Sequence, residues 1–160
     1  MKITECLNVE HGVFLRQLDQ LEELFQRRAS NEVLAAVLQT IARAVESHAA
    51  GEEQRLYPAI EAAYGPQFPP LQVMKIEHEE IDRIVEATKT ADFERGLVDR
   101  FIEVLRGHIQ KEVHALFPMA EDRIPAQKLE EMARNCLQEG HGCAPSTGTG
   151  KHSCGGDYCG

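Results

Sequence analysis

The sequence predicts an all-α protein: an up-down-up-down bundle of four long helices, followed by a short fifth helix and a flexible tail. Apolar residues recur at steps of three and four through most of residues 4–137, which is the period of helices with one buried face. The stretches between these helices are short, and all except the connection between the third and fourth helices hold Pro, Gly, Ser or Asn. Consecutive helices must therefore lie side by side. The chain has six Phe, three Tyr and no Trp, and a mainly aliphatic core suits such a bundle.

The first two helices are predicted over residues 4–28 and 32–64, each with a continuous apolar stripe. Ser30 lies between them and can cap the N-terminus of the second helix. The sequence GPQFPP at 65–70 ends the second helix, because neither Gly nor Pro readily continues one.

The third and fourth helices are predicted over residues 71–88 and 92–123, with a short polar turn between them. A fifth helix over residues 126–137 follows Pro125. Residues 1–138 are therefore expected to form one domain.

Polar residues interrupt the apolar stripes in a repeated pattern. Residues 48–61 and 108–121 share a His, a Glu four residues later and a Leu-aromatic-Pro sequence after that. Residues four apart lie on one face of a helix. The first and third helices each add a His on the stripe, directly after a Glu. The six candidate residues are His11, His48, Glu52, His78, His108 and Glu112.

These residues are predicted to meet at one level of the bundle. His11 and His48 are equally far from the turn that joins their helices, and His78 and His108 are equally far from theirs. Because helices rise by a constant amount per residue, each hairpin brings its two imidazoles together. One cluster of four His and two Glu is expected.

Such a cluster points to a metal centre. A single His on an apolar stripe is most often a hydrogen-bonded core residue, but buried carboxylates beside four imidazoles need a group that neutralises them, and a metal does so. Nitrogen and oxygen donors without thiolates favour iron, or manganese, with zinc possible. Six ligands exceed the usual four of zinc. They suit two metal ions, with Glu52 and Glu112 bridging and two His on each ion. With an oxo or hydroxo bridge, each ion keeps an open position where O₂, peroxide or NO would bind.

The remaining polar residues nearby are interpreted as surface groups: Glu53, Glu79, Glu80, Asp82 and His114. Asp82 follows His78 by one helical turn, so a role as an additional ligand or partner is the alternative there. Tyr57 and Phe117, with the prolines that follow them, are interpreted as packing at the bundle end.

The six residues resemble the ligand pattern of the hemerythrin-like, or HHE cation-binding, domain family. The resemblance also rests on the sequence Glu77-His78-Glu79 and on the two Leu-aromatic-Pro sequences, and it spans about residues 4–124. It implies a four-helix bundle around a non-haem di-iron centre.

The sequence departs from the oxygen-carrying hemerythrins of marine invertebrates. Those proteins have a second His on the third helix, where this chain has Asp82, and H-x-x-x-x-D on the last helix, where this chain has His108-x-x-x-Glu112. The resemblance therefore implies sensing or binding of O₂, peroxide or NO rather than simple O₂ carriage. Two alternatives are a peroxide-consuming or iron–sulfur cluster repair protein, and an iron buffer.

The charge of the chain limits its partners. With 17 basic and 26 acidic residues it carries a net charge of −9, which argues against nucleic acids and anionic membranes as partners. No apolar run is long enough for a signal-peptide core or a membrane span, so a cytoplasmic location is expected. The sequence does not identify a protein partner.

Residues 139–160 form a Gly-rich tail that is predicted to be flexible. Its thiols and imidazoles could form a second metal or thiol site. The candidates are His141, Cys143, His152, Cys154 and Cys159. The iron-buffer alternative depends on this tail.

Overall fold

Helices and the short connections between them build the described chain, residues 1–138 of a computed structural model, and no strand occurs among those residues. The helices are α1 (Ile3–Gln26), α2 (Asn31–Gly51), α3 (Tyr57–Tyr64), α4 (Pro69–Ala87), α5 (Gly96–Lys111), α6 (Phe117–Arg123) and α7 (Ala126–Gln138). The five tail residues singled out as a possible second metal or thiol site lie outside the described residues, so that site stays a prediction.

Two wide helical turns, named here the first and second π-turns, join α2 to α3 and α5 to α6. They cover Glu52–Leu56 and Glu112–Leu116. In each, the backbone N–H of the next residue donates to the carbonyl of the Glu five residues earlier, so the turn holds one residue more than an α-helical turn. The chain from α2 to α3 is thus one long rod, as is the chain from α5 to α6. With α1 and α4, these rods form the predicted four-helix bundle.

The fourth rod begins at Gly96, four residues later than predicted. The cause is Phe93, which is 5% exposed and packs in the core. Its carbonyl accepts a hydrogen bond from the side chain of Asn31, and the side chain of Arg95 donates to the carbonyl of Ala29. These tertiary contacts hold the segment before Gly96 out of the helix.

The core consists of two apolar clusters, one at each end of the bundle. The first lies nearer the α1–α2 and α4–α5 connections and includes Leu18, Leu38 and Phe101. The second includes Leu56 and Leu116 from the π-turns, together with residues of α7. The α7 helix therefore closes one end of the bundle. None of the described helices is both long and apolar enough to cross a bilayer.

Candidate metal centre

The six polar residues of the apolar stripes lie together between the two apolar clusters. Each one is at least nine-tenths buried, and the two glutamates are fully buried. They come from four different rods: α1, α2 with the first π-turn, α4, and α5 with the second π-turn. The structure thus brings together the residues that the sequence singles out, and their binding of a metal stays a prediction.

The first donor group comes from every rod except the one formed by α4, and its members are His11, His48, Glu52 and Glu112. The Nε2 atoms of His11 and His48 lie 2.9 Å apart. Glu52 Oε1 lies 3.3 Å from His48 Nε2, and Glu112 Oε2 lies 3.2 Å from His11 Nε2. One donor atom of each residue lies within 4.8 Å of the others, which is a spacing that lets them surround one cation.

The second donor group lies against the first and consists of Glu52, which both groups share, His78 and His108. The Nε2 atoms of His78 and His108 lie 3.2 Å apart, and Glu52 Oε2 lies 3.5 Å from His78 Nε2. Glu112 Oε2, which faces the first group, is also 3.3 Å from His108 Nε2. Both carboxylates therefore reach both groups, as bridging ligands would.

The donor atoms fit a bound cation better than they fit one another. Glu52 Oε1 and Glu112 Oε2 are buried and have no hydrogen-bond partner. A buried carboxylate oxygen without a donor is destabilising, and a cation between the groups would remove that deficit. A set of imidazoles and carboxylates without thiolates fits iron or manganese.

Three further carboxylates hold the imidazoles from behind. Their contacts are Glu10 Oε2 to His48 Nδ1 at 2.6 Å, Glu53 Oε1 to His78 Nδ1 at 2.8 Å and Glu77 Oε2 to His108 Nδ1 at 3.1 Å. Such a contact fixes the ring orientation, places the proton on Nδ1 and leaves the Nε2 lone pair for a metal.

Sequence analysis missed these three roles. Glu53 is half exposed, but its interpretation as a purely solvated residue is wrong. Glu10 and Glu77 directly precede His11 and His78 in the sequence, and that repeated pair was the available signal. Each of them nevertheless contacts a His on a neighbouring helix, which only the packing of the helices could reveal.

Tyr57 also contributes more than was predicted. It packs in the second apolar cluster, as its interpretation as end packing requires. Its hydroxyl, however, donates to Glu112 Oε1 at 3.1 Å and lies 3.4 Å from Glu52 Oε2. The phenol is therefore a further polar group at the centre. Asp82 and His114 are exposed, in line with their interpretation as surface residues.

Protonated imidazoles can neutralise the cluster in the absence of a metal. Burial lowers the pKa of His48, but the charge of Glu52 and the contact with Glu10 outweigh it and raise the pKa to about 10. Burial also lowers the pKa of His108, but the charge of Glu112 outweighs it and raises the pKa to about 10. Burial raises the pKa of Glu112, but the charge of His108 prevails and holds it well below the usual value. Protons are therefore a second way, besides a metal, to neutralise the cluster.

The metal-free protein is expected to lose stability as the pH rises from about 7 to about 10. The pKa of His48 and of His108 in the folded protein is about 10, against 6.5 for an ordinary histidine. A raised pKa stabilises the folded state fully at pH values below the pKa of the unfolded chain. This stabilisation is lost as the pH rises through the pKa of the folded protein. Thermal melts of chelator-treated protein across this range test the sign. A melting temperature that rises across the range would contradict it, and metal-loaded protein is the control, since a metal displaces these protons.

A groove of about 500 Å³ between α2 and α4 leads towards the cluster. It is lined in part by Glu53, His78 and Asp82, which also line a second groove beside it. A small space next to the four imidazoles shares Val45, Ala49, His78 and Ile81 with the first groove. The groove therefore reaches the imidazole of His78 directly, and Val45, Ala49 and Ile81 line both the groove and the space beside the other three imidazoles.

Comparison with known proteins gives one family. Residues 2–120 match the model of the family described as the hemerythrin HHE cation binding domain. No curated protein and no solved structure matches the chain.

Proposed function

This chain belongs to the hemerythrin family of HHE cation-binding domains, and we propose that its buried cluster holds two iron ions that bind or react with O₂, peroxide or NO. The observation that carries the proposal is the presence of two donor groups that share Glu52. Each group contributes two imidazoles, and a carboxylate common to both is the arrangement that holds two cations side by side.

The donor set supports iron over the other metals. Six nitrogen and oxygen donors exceed what one tetrahedral zinc ion uses, and the cluster of described residues contains no thiolate that would favour copper(I). Manganese fits the same donors. Bound iron would supply redox electrons and open coordination positions to a small molecule.

The surrounding residues support a small and uncharged reactant. The apolar clusters on both sides exclude water from the centre, which strengthens each electrostatic contact inside. The groove between α2 and α4 reaches His78, and the space beyond it is small. We therefore propose that O₂, peroxide or NO approaches past Val45 and Ala49. The cytoplasm, the expected location, would supply ferrous iron.

Metal content and the visible spectrum of protein from iron-supplemented cells test this proposal. We expect about two iron ions per chain and an absorption band of an oxo-bridged pair. The band should bleach on reduction and change when O₂, peroxide or NO is added. One zinc ion per chain, or folded protein without metal and without visible absorption, would contradict the proposal.

Consumption of peroxide is the second candidate function, and Tyr57 favours it. A buried phenol hydroxyl 3.1 Å from Glu112 Oε1 is a proton donor placed beside the centre, and peroxide reduction takes up protons. Burial and the charge of Glu52 raise the pKa of Tyr57 well above 10, so the hydroxyl keeps its proton at neutral pH.

Tyr57→Phe is expected to lower the rate of peroxide consumption by about 100-fold while iron content stays the same. The change removes one hydroxyl and keeps the ring in the apolar cluster. Stopped-flow assays with excess peroxide give the rate, and iron analysis gives the loading. Tyr64→Phe is the matched control, because the Tyr64 hydroxyl donates to the carbonyl of Met119 and does not contact the centre. An unchanged rate in Tyr57→Phe would remove the support for the second candidate.

A further inference from the structure

The centre is built from two corresponding halves, and two positions break the correspondence: Glu53 against Val113, and Tyr57 against Phe117. His11, His48 and Glu52 correspond to His78, His108 and Glu112 in the repeated sequence. The outer carboxylates repeat as well. Glu10 precedes His11 and contacts His48, while Glu77 precedes His78 and contacts His108.

The third outer carboxylate has no counterpart. Glu53 follows Glu52 and contacts His78 Nδ1 at 2.8 Å. The residue in the same place after Glu112 is Val113, which cannot accept a hydrogen bond. His11 would be the partner of a carboxylate at that place.

The contacts of His11 agree with the absence of a carboxylate at position 113. His11 is 1% exposed, and its Nδ1 has no hydrogen-bond partner among the described residues. Its ring stacks on Phe117 instead, with 5.6 Å between ring centroids and 4° between ring planes. The equivalent ring, Tyr57, stacks on His78 at 5.7 Å and adds a hydroxyl. Thus His11 has apolar neighbours where His78 has polar ones.

The bridging carboxylates do not compensate for the difference. The Nε2 of each imidazole has a carboxylate oxygen at 3.2 to 3.5 Å. The imbalance therefore comes from the unpartnered Nδ1 of His11 and from Phe117, which lacks the hydroxyl that Tyr57 places 3.5 Å from His78 Nε2. Loss of an outer partner of a metal-binding His typically weakens metal binding about 10- to 100-fold, because the ring is less well oriented and its lone pair is less basic.

From these contacts we infer that the two metal positions are unequal, and that a divalent transition-metal ion fills the His78–His108 position first. The His11–His48 position fills second. The inference rests on the proposed function, since it needs a pair of metal positions. It adds that the chain passes through a state with one ion, in which the His11–His48 position is open to a second ion of the same or another metal.

Titration of the metal-free, full-length chain with Mn²⁺ tests the order. Mn²⁺ prefers nitrogen and oxygen donors, so it avoids the cysteines of residues 139–160, and electron paramagnetic resonance counts the free ion. Repulsion between two divalent ions would separate two binding steps even in a symmetric centre. The diagnostic result is therefore which step each variant changes.

Val113→Glu should strengthen the second step by about 10-fold or more and leave the first nearly unchanged, because it offers His11 the missing partner. Glu53→Val is the reciprocal variant and should weaken the first step by about 10-fold or more. Glu53→Gln keeps an acceptor for His78 without the charge, so its effect should be smaller. Far-ultraviolet circular dichroism confirms that each variant is folded.

Three results would overturn the inference. They are a second step that Val113→Glu leaves unchanged in folded protein, a first step that Glu53→Val leaves unchanged, and a Glu53→Val effect confined to the second step. Binding of a single Mn²⁺ ion or none, with iron content also below two per chain, would instead overturn the proposed function and with it the inference. The two failures are therefore distinguishable.

Discussion

Glu112→Gln is expected to abolish binding of the second metal ion and to weaken binding of the first by at least about 100-fold. Glu112 Oε2 lies 3.2 Å from His11 Nε2 and 3.3 Å from His108 Nε2, so one oxygen serves both donor groups. Gln keeps the volume of the side chain but removes its charge, and its amide N–H₂ can occupy the place of a donor oxygen. Metal content after iron loading and desalting measures the effect.

Glu131→Gln is the matched control for this variant, since Glu131 is exposed on α7. It should bind as much iron as the unaltered protein. Helical content of Glu112→Gln should stay close to that of the unaltered protein, because both apolar clusters are intact. Retention of about two iron ions per chain by folded Glu112→Gln would contradict the role assigned to Glu112.

Phe101→Ala is expected to lower the free energy of unfolding by about 3–5 kcal/mol. Phe101 is fully buried in the first apolar cluster, so truncation both removes apolar contact and leaves a cavity. For a domain of this size the change corresponds to a fall in melting temperature of roughly 10–20 °C. Thermal and urea denaturation of metal-free protein measure it.

Val33→Ala provides the comparison, because Val33 is 42% exposed and its truncation should cost less than about 1 kcal/mol. Phe101→Ala should still bind iron at low temperature, where it remains folded. A loss of stability no larger than that of Val33→Ala would show that the first cluster is not a packed core. Together with Glu112→Gln, this variant separates the stability of the bundle from the binding of metal.

The bundle and the six central residues follow from the sequence for a simple physical reason. Four rods with short connections have little choice of topology, and a constant helical rise fixes which residues share a level. His11 and His48 therefore had to meet once the turn between them was recognised. Residues whose position depends only on their own helix are the ones that sequence reasoning places well.

The parts that sequence reasoning missed depend on contacts between helices. Glu10 and Glu53 lie off the apolar stripes, and only the crossing of neighbouring rods shows which imidazole each one reaches. The π-turns did leave a signal: steps of four follow one another at His48, Glu52 and Leu56, where alternation predicts a step of three. The late start of α5 had no such signal, since it results from the burial of Phe93.

The two π-turns also bear on where the backbone opens. Each turn begins with a glutamate of the centre, Glu52 or Glu112, and ends in the second apolar cluster with Leu56 or Leu116. Pro58 and Pro118 follow the turns without an N–H to donate, so each rod lacks one backbone hydrogen bond there. We expect this level of the rods to open locally at a lower cost than the neighbouring α-helical turns. Such an opening would admit a hydrated ion while the bundle as a whole remains folded.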